Sequence, residues 1–236
     1  MKWNVLDTGV KSAQKNMAID AELLEKMDPK DAPLLHFYEW ESPSVTYGYF
    51  LRPDAFFDLP KAKTVGLSLA RRPTGGGVTF HLTDFAFSVL IPAGFPHYFT
   101  CSLDNYHFIN SLVKRAVKGV LKKTGLSLLT QTVSSTQNTC ADFCMAKPTQ
   151  YDVMLGPWKI AGAAQRRKKQ GYLHQGSISI TLPDQALLQA ALLNGKDVYH
   201  AMSLHTCSLL GQEGTPADLK EMQRLLKRQL EEECAQ

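Results

Sequence analysis

Three stretches of this chain carry side chains able to do chemistry. The first is RRPTGGGVTFH, residues 71–81. Consecutive glycines let a ligand approach the main chain closely, and their N–H groups form a concave donor set suited to a phosphate. Arg71 and Arg72 add forked donors for phosphate or carboxylate, and Thr74 adds a hydroxyl. Together they describe a cradle for an anionic group attached to something larger. A tight turn between two strands, with both arginines in solvent, would use the same residues. The pattern is not a P-loop, since no Gly-Lys-Ser/Thr follows, and it lacks the Rossmann glycine spacing.

The second stretch is GPWKIAGAAQRRKKQGYLHQGS, residues 156–177. On a strand, Lys159 alternates with Trp158 and Ile160 and points away from them, into a cleft or simply to solvent. Gly162, Ala163 and Ala164 are small, so a ligand could lie across them. The run RRKK at 166–169 reads as a solvated loop, or as a basic lip for an acidic protein substrate. Lacking interleaved aromatics, it does not read as a nucleic-acid surface. The third stretch, CMAKPTQYDV, starts at Cys144. A thiolate is a good nucleophile, and a thioester keeps an acyl group reactive. A free thiol titrates near about 8.5, so Cys144 would need activation. Lys159 or His174 could supply it. A small buried cysteine without chemistry is the plainer alternative.

These residues need elements to hold them. Met17, Ile19, Leu23 and Leu24 recur at helical spacing within AQKNMAIDAELLEK, predicting a helix over 13–26. LLHFYEW and SVTYGYF read as aromatic-rich strands broken at Glu41-Ser42-Pro43. SLARR is a short strand entering the glycines, and VTFHLTDFAFSVLIP reads as a strand leaving them. Residues 104–124 form an amphipathic helix pattern with Asp104 as its cap and Phe108, Leu112, Val117 and Leu121 inward. YDVMLGPWKIAGAAQ reads as a hairpin turning at Gly156-Pro157, and YLHQGSISI as a further strand. LPDQALLQAALL and TPADLKEMQRLLKRQLEEE read as helices, the latter capped by Thr215 with Pro216 at its first position. There is no strict βαβ rhythm, so the expected fold is α+β, with helices packed on a mixed, largely antiparallel sheet.

The chain has 236 residues, 44% of them hydrophobic, enough for one sizeable core. A net charge of +4 is too mild to imply nucleic acid. Five cysteines without a repeated CxxC argue against a disulfide framework or zinc cage. The N-terminus lacks a signal-peptide core and no apolar run would span a bilayer. A cytoplasmic protein with no membrane or nucleic-acid partner is expected.

The same stretches carry a resemblance. From about residue 3 to 210 the sequence resembles the lipoate–protein ligase and octanoyltransferase family, whose catalytic module is shared with biotin ligases. NMAIDAELL looks like the family's opening helix and LHFYEWESPSVTYGYF like its substrate-lining strands. RRPTGGGVTFH resembles its acyl-adenylate loop, and KIAGAAQRR followed by HQGSI its lysine motif. The GRGR loop of biotin ligases is absent.

The resemblance implies a ligase that joins lipoate or octanoate to AMP using ATP and magnesium. It then passes the acyl group to a lysine of an acceptor: a lipoyl domain of a 2-oxoacid dehydrogenase or the glycine-cleavage H protein. It places Arg72 and Thr74 on the adenylate, Gly75, Gly76 and Gly77 around it, and Lys159 across the acyl carbonyl and phosphate oxygens. His81, Gly162, Ala163 and His174 fall at its binding positions, and Asp152 falls near nucleotide and magnesium. Tyr38, Trp40 and Tyr47, with the alanines after Lys159, are candidates for an apolar acyl tunnel. Three departures stand out: Leu82 where an aspartate is usual, Leu51 where a glutamine is common, and Gln175 in place of a second histidine. The chain ends near where larger ligases begin an accessory domain that assists adenylation, so residues 1–236 read as a single catalytic domain that either works with an accessory subunit or performs only the transfer half.

A cysteine branch of the family resembles the Cys144 stretch. Its members take octanoate from acyl carrier protein as a thioester, without ATP. Gly77 favours the ligase, since the cysteine branch often carries a bulkier residue there. An ATP-dependent lipoate–protein ligase is therefore the leading expectation, a Cys144 octanoyltransferase the second, and a non-catalytic lipoyl-domain binding module the third.

Overall fold

The computed structural model describes residues 2–122, 124–131, 140, 142–211 and 214–235. A seven-stranded sheet forms the frame. It comprises β1 (Asn4–Lys11), β2 (Leu34–Trp40), β6 (Asp84–Pro92), β10 (Gly171–Ser179), β9 (Trp158–Lys168), β8 (Val153–Leu155) and β7 (Leu126–Leu128), in that spatial order. Only β1 and β2 run parallel. A second sheet of three strands has β3 (Ser44–Tyr47) between β4 (Ser68–Arg71) and β5 (Val78–His81). The expected mixed, largely antiparallel α+β architecture is what the chain adopts.

Each sheet is covered where its strands present apolar side chains. Phe85, Phe87, Val89 and Ile91 of β6 alternate onto one face of the large sheet. There they meet Ile109, Val113 and Val117 of α3 (Ser102–Leu121) and Leu226 and Leu230 of α6 (Pro216–Ala235). On the opposite face lies α1 (Ala13–Lys26), whose helical period buries Met17, Asp20 and Leu24. The small sheet turns Val45, Val78 and Phe80 toward α2 (Leu59–Thr64), α4 (Gln185–Ala191) and α5 (Gly195–His205). Its other face, with Thr46, Thr79 and His81, looks back at the large sheet across a cavity.

The elements expected from the sequence are found, with four corrections, while β1, α2, β7 and α5 carried no such expectation. VTFHLTDFAFSVLIP is two strands, not one: β5 ends at His81 and β6 starts at Asp84 in the other sheet. The strand from Ser44 stops at Tyr47 because the chain must turn at Gly48, against the glycine loop. The helix expected over 104–124 starts at Ser102 with Cys101 as its cap, and Lys122, at a φ of 51°, ends it; residue 123 lies outside the described residues. Arg166, Arg167 and Lys168 are not in a loop but on β9. Arg166 donates to the Pro73 carbonyl at 2.9 Å, Arg167 to the Thr100 carbonyl, and Lys168 pairs with Glu25. Much of that basic charge is spent inside the molecule. The Thr215 cap stands: its hydroxyl accepts from Asp218 N at 3.2 Å.

Candidate active site

The loop between β4 and β5 is shaped by contacts of its own. Gly76 sits at φ 81°, a left-handed conformation that favours glycine. Gly77 needs its missing side chain for another reason. A Cβ there would fall 2.0 Å from the carbonyl oxygen of Asp142. The segment leading to Cys144 lies directly against this backbone. Val78 N donates to Asp142 O at 2.6 Å, and Cys144 N donates to Val78 O at 2.9 Å. A Cβ on Gly75, by contrast, would meet nothing within 4 Å. Gly77 therefore seats the cysteine segment, and Gly75 alone of the three faces open space.

Arg72 is buried and turned inward. Its guanidinium donates to the carbonyls of Gly75 (2.9 Å), Gly77 (2.6 Å) and Thr46 (3.2 Å), and to the Thr79 hydroxyl (3.3 Å). It also reaches the Cys144 sulfur at 3.7 Å. In the structure these donors hold the loop together.

Cys144 is half-buried and lines the cavity. Burial pushes its thiol up, but the charges of Arg72 and Lys159, with hydrogen bonds from Thr79 and Gly77, outweigh that penalty. The net shift is downward, toward thiolate. Lys159 is not at the surface: it is 3% exposed and pairs with the equally buried Asp152 at 2.7 Å. Its ammonium also donates to the Cys144 carbonyl at 2.7 Å. A bulge in β9 lets Lys159 face this way while Ile160 and Ala161 both enter the core. Gly162 makes room for it, because a Cβ there would sit 2.5 Å from Lys159 Cε.

Two further predicted residues take different places. His174 packs beside Phe87 and Tyr106 and accepts from the Gln165 amide at 2.9 Å. Burial lowers its pKa to about 3, so it is neutral and supplies no charge to Cys144. His81 is in the cavity wall. Its Nδ1 bonds Asp84 at 2.8 Å, its Nε2 bonds the Thr46 hydroxyl at 2.9 Å, and Trp40 stacks on its ring at 4.2 Å. The acid expected at position 82 is thus supplied from Asp84, which also accepts from Ser177 at 2.6 Å.

Gln175, a departure from the expected histidine, joins two elements. Its amide donates to Asp20 at 2.6 Å and its carbonyl accepts from Thr74 at 2.7 Å. Asp20, wholly buried on α1, also accepts from Ser88 at 2.6 Å and bonds His36 at 2.8 Å. Sequence reasoning missed Asp20. Its signal was a carboxylate on the apolar face of a helix, between Met17 and Leu24.

The residues present do not make a magnesium site. Asp152 Oδ2 is held by Lys159 and by the amide and hydroxyl of Thr149, at 2.6 and 2.9 Å. Among the described residues no three His, Cys, Asp or Glu side chains are grouped to hold a metal. Cys234 is buried in the α3–α6 core, and burial pushes its thiol to about 12. No helix among the described residues is long and apolar enough to cross a membrane.

Comparison with known proteins gives the family and the fold. The model of the lipoyl protein ligase A/B catalytic domain matches residues 12–231. Octanoyltransferase LipM of Moorella thermoacetica is 31% identical over 205 residues, covering 86% of this chain and 70% of that protein. Octanoyltransferase LipM of Staphylococcus aureus is 30% identical over 179 residues, 75% and 65% of the two chains. Among solved structures, a lipoate-protein ligase A bound with ATP superposes with a TM-score of 0.71 at 23% identity, over 99% of this chain and 86% of that one. The bipartite lipoate protein ligase of Thermoplasma acidophilum gives 0.69 at 22% identity, over 99% and 84%. At such identities the structures speak for the fold. The family match over nearly the whole chain carries more, and this protein belongs to the lipoyl protein ligase A/B catalytic-domain family, enzymes of lipoyl and octanoyl transfer.

Proposed function

We propose that this protein is an acyltransferase that carries a medium-chain acyl group, octanoyl by preference, as a thioester on Cys144. It then delivers the group to a lysine of a lipoyl-domain acceptor. The observation that carries this reading is the Cys144 thiol, lowered in pKa beside Arg72 and Lys159 in the wall of the cavity. The LipM relatives, named octanoyltransferases, point the same way.

The chemistry balances without a nucleotide. The Cys144 thiolate attacks the carbonyl of a donor thioester; a new C–S bond forms and the donor sulfur leaves, taking a proton. The neutral amine of the acceptor lysine then attacks the acyl-Cys144 carbonyl. An amide forms, the amine loses its proton and Cys144 is released as thiolate. Both steps build negative charge on an oxygen next to the sulfur. Lys159, whose position is set by Asp152 and the Cys144 carbonyl, and Arg72, 3.7 Å from the sulfur, are the charged donors available to that oxygen.

An ATP-dependent ligase is the second reading. The buried Lys159 and the open face of Gly75 favour it. The separating experiment offers the protein an octanoyl-pantetheine thioester, then an apo lipoyl domain, with ATP omitted, and follows both proteins by intact mass. Acyl addition to the enzyme that disappears in Cys144→Ala, followed by acceptor octanoylation, supports the transferase. Acceptor modification only with ATP, retained in Cys144→Ala, supports the ligase. A protein that modifies no acceptor under either condition is a binding module.

A further inference from the structure

We propose that Tyr38 plugs the far end of the acyl cavity and sets the longest chain it admits. This rests on the acyl-Cys144 reading above.

One row of residues crosses the large sheet. Gly162 pairs with Ser177, Ser177 with Ala86, and Tyr38 follows Phe37, the partner of Phe87. From β9 to β2 the row reads Gly, Ser, Ala, then Tyr. It begins at the reacting groups, since a Cβ on Gly162 would meet Lys159 and, at 3.1 Å, Asp152. It ends at a large ring that is 7% exposed.

Beyond that ring lies open space. Tyr38 and His81 line the cavity on one side and a groove on the other, bordered by Trp40 and α6. His81 is clamped by Asp84, Thr46 and the stacked Trp40. Tyr38 is held by packing and a single 3.3 Å contact with the Ser88 hydroxyl. It is the removable part of the wall.

The dimensions suit a ruler. Three strand intervals of about 4.8 Å span roughly 14 Å. An extended chain advances about 1.2 Å per bond, so eight carbons reach about 9 Å and twelve about 13 Å. Eight carbons leave about 5 Å of that span for the Tyr38 ring and twelve leave about 1 Å, so the ring stops the longer chain first.

The test acylates the full chain with acyl-pantetheine thioesters of six to fourteen carbons and reads Cys144 occupancy by intact mass. In parallel, melting-temperature shifts are recorded with free fatty acids of the same lengths. Wild type should lose about tenfold or more between eight and twelve carbons. Tyr38→Ala should raise the twelve-to-eight ratio by about tenfold or more, and Tyr38→Leu by less, while Tyr38→Phe keeps the wild-type length profile. Should Tyr38→Ala fail to fold, Tyr38→Leu reads the same quantity. Length profiles in folded Tyr38→Ala or Tyr38→Leu that track wild type overturn the plug. If wild type carries no acyl group on Cys144, the transferase chemistry fails, yet the melting shifts still decide the plug. An optimum that moves to longer fatty acids in the variants supports it, and an unmoved optimum or no shift with any fatty acid overturns it.

Discussion

The backbone of Gly77 lies so close against the carbonyl of Asp142 that a Cβ on the glycine would fall 2.0 Å from that oxygen. The close approach lets Val78 exchange hydrogen bonds with Asp142 and Cys144, and so places the sulfur under Arg72. A glycine read as a phosphate contact thus acts on the opposite partner, the segment that carries the nucleophile.

Gly77→Ala should push that segment off β5. The expected cost is about 1–3 kcal/mol by urea denaturation, as for an overpacked core site. Octanoyl loading on Cys144 should fall at least tenfold. Gly75→Ala, whose Cβ would meet nothing within 4 Å, should leave stability within about 0.5 kcal/mol. Equal effects from the two alanines would contradict the assignment.

Lys159 and Asp152 are an ion pair at 3% exposure each, so removing one partner strands a buried charge. Lys159→Met alone should destabilise by about 3–5 kcal/mol, and Lys159→Met with Asp152→Leu should recover most of that loss. Loading of Cys144 should not recover in the double variant. The thiol should also titrate higher without the Lys159 charge. The pH dependence of iodoacetamide alkylation would then move upward, because burial opposes the thiolate and one of the two charges favouring it is gone.

His174 gives a pH dependence of stability rather than of catalysis. Burial holds its folded pKa near 3, well below the 6.5 of the unfolded chain. The unfolded state therefore binds more protons between those values. The contribution is fully present above pH 6.5 and is lost as pH falls, at up to about 1.4 kcal/mol per unit. Urea melts at pH 7, 5.5 and 4.5 should show a shallower acid loss in His174→Gln than in wild type. Parallel curves would mean that His174 is protonated in the folded protein.

Asp20, with His36, Ser88 and Gln175 bonded to it, ties α1 to Thr74 through the Gln175 amide. Asp20→Asn replaces an acceptor with a donor facing the Gln175 amide and should cost about 1–3 kcal/mol. Because the tie ends at the β4–β5 loop, loading of Cys144 should slow beyond what the unfolded fraction accounts for. A loading rate that merely tracks the folded fraction would reduce Asp20 to a structural role.

Much of the frame was legible in the sequence. The period of Met17, Ile19, Leu23 and Leu24 marked α1 to the residue, and Gly156-Pro157 marked the β8–β9 turn, because both depend on local periodicity and turn chemistry. The motifs around Arg72, Lys159 and Cys144 were legible as sources of chemistry. Their partners were not. Whether Lys159 faced solvent or Asp152 depended on a bulge, and whether Gly77 faced a ligand or Asp142 depended on a segment 65 positions away. Side-chain type determined which groups could react. Only the tertiary packing, which desolvates Lys159, Asp152 and His174 and brings Arg72 to Cys144, decided which charges meet and which are silenced.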